Sequence, residues 1–167
     1  MTQITLWWDK INTIWNLPQV WSIAKNFVLV DKDLSEKSLE DFLGKRIILN
    51  IFPSLDTDVC SLSVKKFNKT AAWLQDTIVI CVSKDLPFAI GRFCGAEWIE
   101  HIVTLSDFRW SFGEDYGLTI SDGVLRWVLS RAIIILDKNH EIIYTQQVLE
   151  ITTEPDYDQA LSALSTI

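Results

Sequence analysis

The chain has 167 residues, 49% of them hydrophobic and 22% charged, with 15 basic and 22 acidic side chains for a net charge of −7. This fits one folded domain over residues 1–167 and excludes a disordered chain, while an acidic balance without a basic run argues against nucleic-acid binding, which rests on clustered Lys and Arg. Aliphatic runs such as 133–136 are too short to span a bilayer, and MTQITLWWDK lacks the regions of a secretory signal, so a cytoplasmic location is expected.

In chain order, residues 4–8 and 11–15 read as two strands of an N-terminal β-hairpin, about 1–17, turning at Trp8, Asp9 and Lys10. Residues 27–30 are another strand candidate, and 35–42 a short helix ending near Gly44. Residues 46–52, RIILNIF, are nearly continuous in apolar character, which suits a central strand covered on both faces; Pro53 stops it. Cys60, Val64, Phe67, Ala71 and Leu74 follow at spacings of four, three, four and three, the period of an amphipathic helix, with Thr57 or Asp58 placed to cap it. Residues 77–82 read as a second buried strand. Asp85 and Pro87 start a helix that holds Phe88, Phe93 and Cys94, and 101–105 form a third strand. Residues 132–136 and 141–144 flank a turn at 137–140, and 156–164 close the chain as a helix. This order predicts an α/β domain with a mixed central sheet flanked by helices.

Three cysteines, Cys60, Cys81 and Cys94, are an odd number for a disulfide scaffold, and His101 and His140 lack metal-ligand spacing to any of them. Neither a metal site nor a Cys-His catalytic pair is expected. Cys81, inside VICVS, reads as a buried apolar thiol. Cys60 falls in the first turn of its helix, where free backbone N–H groups and the dipole favour an anion. It also lies just past the carboxyl end of a central strand, where open α/β sheets gather their sites. It reads either as a nucleophile or as a buried structural thiol. Cys94 lies 34 residues further on, and a bridge to Cys60 needs Cα atoms roughly 4.4–6.8 Å apart, which two helical cysteines seldom reach without local unfolding.

The stretch NIFPSLDTDVCSLSVKKFN resembles the thiol peroxidase family, the atypical two-cysteine peroxiredoxins, whose Pro, Thr, Cys pattern stands here as Pro53, Thr57 and Cys60. The likeness continues through SKDLPFAIGRFCGAE, VTLSDFR, YGL, SRAIIILD and EITTEPDYDQAL, in one register over nearly the whole chain. The resemblance implies a thioredoxin-like fold with an N-terminal hairpin. It further implies that Cys60 is the peroxidatic cysteine, Thr57 its hydroxyl partner, Arg131 the guanidinium beside the thiolate, Pro53 a shaper of the substrate pocket and Cys94 the resolving cysteine. On the same ground the expected activity is reduction of hydrogen peroxide and organic hydroperoxides, through a Cys60 sulfenic acid and a Cys60–Cys94 disulfide reopened by thioredoxin. No metal or prosthetic group is implied, and the protein is expected to be a homodimer. From the residue types alone, Thr57 serves equally well as a simple helix cap, and Arg131 as an edge charge.

The sequence departs from that family at several places. Asp58 stands where Gly is common, and a carboxylate two residues from Cys60 opposes its ionisation. Trp8, Trp21, Trp98 and Trp127 stand at positions the family usually fills with Gly; wherever the backbone there requires positive φ, each costs about 1–2 kcal/mol. Trp110 stands where a small polar residue is more usual. The chain has eight Trp and only six Gly, against about a dozen Gly at average usage. These substitutions read either as tolerated change on surface and loops or as a new apolar patch. They also keep open an alternative function: a weakly active or inactive relative that serves as a binding or chaperone-like module.

Overall fold

The computed structural model describes residues 1–109 and 111–165; Trp110 lies outside them. The apolar run after Lys45 forms the central strand β5 (Arg46–Ile51) of a seven-stranded sheet. With β1 (Gln3–Leu6) and β2 (Asp9–Asn12) set apart as a hairpin, the sheet strands are β3 (Val28–Asp31), β4 (Glu36–Ser38), β5, β6 (Thr77–Ser83), β7 (Val103–Ser106), β8 (Ala132–Leu136) and β9 (Ile142–Gln147). Their spatial order is β4-β3-β7-β6-β5-β8-β9. β5, β6 and β7 run parallel, and β3 and β8 flank them antiparallel, so the sheet is mixed as expected.

The period-two alternation of β5 divides the core. Ile47, Leu49 and Ile51 join Phe27, Phe112 and Tyr116 on one side. Ile48 faces the other, among residues of α1 (Asp58–Ala71), α2 (Pro87–Ala96) and α4 (Tyr157–Leu164). α1 buries Cys60, Val64 and Phe67, and burying such an apolar side chain is worth about 1.5–3 kcal/mol. Asp156 caps α4 by accepting from the Gln159 N–H at 2.9 Å. A short helix, α3 (Phe112–Asp115), carries no helical period in so few residues and escapes sequence reading.

Three local expectations are corrected. Residues 35–42 are not one helix: the edge strand β4 is followed by a 3-10 turn at Leu39–Phe42, because Ser38 N–H donates to the Asp41 carboxylate at 2.7 Å and ends the strand there. The first hairpin turns one residue earlier than expected, at Trp7-Trp8, with Leu6 paired to Asp9; β2 ends at Asn12. Neither Thr57 nor Asp58 caps α1 through its side chain; Thr57 Oγ1 donates back to Ser54 O at 3.2 Å instead.

Trp8, Trp21, Trp98 and Trp127 all adopt positive φ, at 71°, 71°, 53° and 79°, and Trp7 joins them at 50°. At the end of α2, Trp98 occupies the left-handed position of a Schellman motif, where Ile99 N–H reaches the Cys94 carbonyl at 3.0 Å. The strained residue therefore closes the turn that holds Cys94.

Candidate active site

β5 ends at Ile51, and residues 53–57 form the loop that delivers the chain to α1. Asp85, read from sequence only as a helix starter, fastens this loop. Its carboxylate accepts from Ser54 Oγ at 2.7 Å, Leu55 N–H at 2.7 Å and Ser83 Oγ at 2.8 Å, tying the loop to the end of β6. Cys60 then sits in the first turn of α1, fully buried.

Arg131 directly precedes β8, 71 residues after Cys60, and is 2% exposed. Its Nη2 donates to Cys60 Sγ at 3.3 Å and its Nε to Ile151 O at 3.0 Å. Nη1 is buried without a hydrogen-bond partner in the protein. A buried, unpaired guanidinium nitrogen is costly to retain and is available to an incoming acceptor. Arg131 also lines a cleft of about 510 Å³ together with Pro53, Thr57 and Val59 on one side and Leu125, Val128 and Ile151 on the other. Pro53, Thr57 and Arg131 thus converge on one cleft, and Arg131 links that cleft to the Cys60 sulfur. Asp56 and Asp58 stand exposed on its rim; Asp56 lies 3.6 Å from Arg92.

Beneath Cys60 lies a polar network that the apolar look of RIILNIF conceals. Ser63 Oγ donates to the Cys60 carbonyl at 2.9 Å, and Asn50 Nδ2 lies 3.3 Å from both Ser63 Oγ and Cys81 Sγ. Asn50 in an otherwise aliphatic strand was the sequence signal for it. Burial pushes the Cys81 thiol up to about 12, with the Asn50 amide partly offsetting this, so Cys81 is inert near neutrality.

Cys94 does not share the cleft. It lies on the inner side of α2, 6% exposed, with its Sγ 3.4 Å from Thr104 Oγ1. It borders a separate depression with Lys32, Gly95 and Trp98. Burial raises its thiol above the ordinary value, and the Thr104 hydroxyl partly counters this. All three cysteines are free thiols.

The hairpin closes the cleft from outside, and its anchor is Glu150, a second residue that sequence reading missed. Its carboxylate accepts from Thr5 Oγ1 at 2.6 Å, Trp7 N–H at 3.2 Å, Trp8 N–H at 3.0 Å and the Thr152 N–H and Oγ1 at 3.1 and 2.5 Å. Desolvation by burial raises the Glu150 carboxyl, but these donors outweigh it and bring it down to about 2 from 4.5. A lowered folded value means that the stabilisation is complete above about pH 4.5 and is lost as pH falls towards about 2. The expected result is that thermal melting of Glu150→Gln declines less across that window than melting of the parent chain; parallel declines would refute it.

A buried cysteine at a helix start beyond a central strand, held by an arginine from a distant strand, in a mixed sheet preceded by a hairpin, defines a redox protein of thioredoxin-like fold. Residues 19–161 match the Redoxin family, and the chain belongs to that family. It is 52% identical over 157 residues to the thiol peroxidase of Corynebacterium glutamicum, covering 94% of this chain and 95% of that protein. It is 51% identical over 164 residues to the thiol peroxidase of Mycobacterium tuberculosis, covering 98% and 99%. Among solved structures, the peroxiredoxin-like protein of Aquifex aeolicus is 36% identical and superposes with a TM-score of 0.94, covering 100% of this chain and 98% of that one.

Proposed function

We propose that the protein is a thiol peroxidase of peroxiredoxin type that reduces hydrogen peroxide and small organic hydroperoxides. The observation that carries the reading is the 3.3 Å contact between Arg131 Nη2 and Cys60 Sγ at a helix N-terminus, with Nη1 left for an acceptor. Arginine stays protonated and cannot take the thiol proton, so it holds Cys60 as thiolate rather than acting as its base. The thiolate attacks one peroxide oxygen; the O–O bond breaks, Cys60 becomes a sulfenic acid, and the other oxygen leaves with a proton as water or alcohol. Arg131 stabilises the charge that develops on the oxygens. Thr57 donates to a peroxide oxygen after rotating away from Ser54 O, and Pro53 shapes the wall of the cleft.

Cys94 then condenses with the sulfenic acid, releasing water and forming a disulfide, and a dithiol reductant of thioredoxin type reopens it by exchange. Because Cys94 is buried on α2 beside a different depression, this step requires the end of α2 to open. The chain acts as one domain over residues 1–167, as a homodimer, in the cytoplasm. No helix among the described residues is long and apolar enough to cross a membrane.

With thioredoxin, its reductase and NADPH, the protein is expected to consume peroxide and Cys60→Ser to consume none; NADPH oxidation no faster than in that variant would sink the enzyme reading. Cys94→Ser is expected to react once and fail to cycle with thioredoxin. Mass mapping of the peroxide-treated parent chain should find Cys60 joined to Cys94, and recovery of both as separate thiol or oxyacid species removes Cys94 from the cycle.

A further inference from the structure

We propose that Glu150 is a positioning residue for Arg131. The two are linked through one short segment. Leu149 O accepts from Thr5 N–H at 2.6 Å, Ile151 N–H donates to Thr5 O at 2.9 Å, and Ile151 O accepts from Arg131 Nε at 3.0 Å. Glu150 lies between these residues and is 7% exposed, its two oxygens filled by donors from the hairpin and from Thr152. The carboxylate therefore holds the segment against the hairpin, and the segment presents the carbonyl that orients the guanidinium facing Cys60. A site group performs only as well as the shell that fixes its geometry.

This rests on the peroxidase reading, so the test includes a measurement that needs no turnover. Alkylation of Cys60, followed on its own peptide, and the peroxide rate are each measured against pH for the parent chain, Glu150→Gln and Glu150→Ala. In Glu150→Ala both profiles are expected to move to higher pH and the peroxide rate to fall roughly tenfold, the scale for groups that orient a site ligand. Glu150→Gln, which keeps one acceptor oxygen, recovers part of the loss. Profiles that stay in place while the variant melts at lower temperature overturn the proposal and leave Glu150 as an anchor of the hairpin. A parent chain without peroxidase activity whose alkylation profile still shifts separates failure of the peroxidase reading from failure of this one. Should Glu150→Ala not fold, Thr5→Val, which removes the 2.6 Å bond to Glu150 and the longer 3.3 Å bond to Leu149 O, is expected to shift both profiles in the same direction by a smaller amount, and unshifted profiles overturn the proposal.

The tryptophans carry a second inference independently. Trp7, Trp8, Trp15, Trp21, Trp73, Trp98 and Trp127 are each between 60% and 84% exposed, although tryptophan is highly buried on average. Five of them hold φ between 50° and 79°. Trp7 and Trp8 fill both central positions of a two-residue hairpin loop, where positive φ at both selects Asn-Gly or Gly-Gly, and Trp98 fills the position of a helix end that selects Gly. The six glycines fall short of about a dozen at average usage, and the eight tryptophans make up the difference. Independent substitutions do not gather the bulkiest side chain at the positions that tolerate it least. We infer that Trp7, Trp8, Trp21, Trp98 and Trp127 are glycine in the protein its own cells make, through a codon that one genetic code reads as tryptophan and another as glycine. Peptide mass spectrometry of the chain purified from cells that carry its gene decides this. Glycine at the five positions is the expected result, and tryptophan at any of them overturns it.

Discussion

Replacing Arg131 with methionine is expected to lower the second-order rate of peroxide reduction by about 10²–10³, the usual cost of removing one preorganised donor from a developing charge. Methionine keeps much of the buried volume but offers nothing to Cys60 Sγ, to Ile151 O or to a bound peroxide. Arg131→Lys is expected to recover only a fraction. It restores the charge, but a single ammonium cannot serve Ile151 O, Cys60 Sγ and a substrate oxygen from the three edges of one planar group. Stopped-flow peroxide consumption with saturating reductant measures both. A methionine variant as fast as the parent chain would show that the helix N-terminus alone supports the reaction.

Replacing Trp8, Trp21, Trp98 and Trp127 together with glycine is expected to raise the melting temperature by roughly 5–15 °C. Each left-handed non-glycine residue costs about 1–2 kcal/mol in the folded chain, and glycine gives back about 0.4–1 kcal/mol through the freer unfolded chain. The net gain is about 0.5–1 kcal/mol at each position, and gains at sites with no shared partners add. The side chains are exposed, between 60% and 80%, so their removal leaves no cavity. Calorimetry measures the outcome; an unchanged melting temperature would mean that the backbone relaxes out of these conformations at no cost. Trp98 is distinctive because its turn bonds to the Cys94 carbonyl. Trp98→Gly alone is therefore expected to tighten the end of α2.

The departures from the family pattern bear on the alternative of an inactive binding module. Asp58 is one of the sequence arguments for it, beside the four tryptophans, through a charge two residues from Cys60. In the folded chain Asp58 is exposed at the rim of the cleft while Cys60 is buried with Arg131 against its sulfur. Solvent screens the exposed carboxylate far more than the buried guanidinium.

Periodicity and composition were enough to place β5, α1, β6, α2, β8 and α4, because each buries a continuous or periodic apolar face that the chain states locally. They were also enough to single out Cys60 as the thiol at a helix start, and the motif resemblance supplied Pro53, Thr57, Arg131 and Cys94. The resemblance also marked Trp8, Trp21, Trp98 and Trp127 as positions usually held by Gly, while the positive φ at each of them, and at Trp7, came from the structure. Only the tertiary structure brought Arg131 to within 3.3 Å of Cys60 across 71 residues, set Cys94 apart beside Thr104, and revealed Asp85, Asn50 and Glu150 as the groups that hold the site. Each of the three has a partner far along the chain, 13 positions away for Asn50, 31 for Asp85 and 145 for Glu150. A hydrogen bond between distant segments leaves no period in the sequence; it exists only after the sheet has fixed which loops meet.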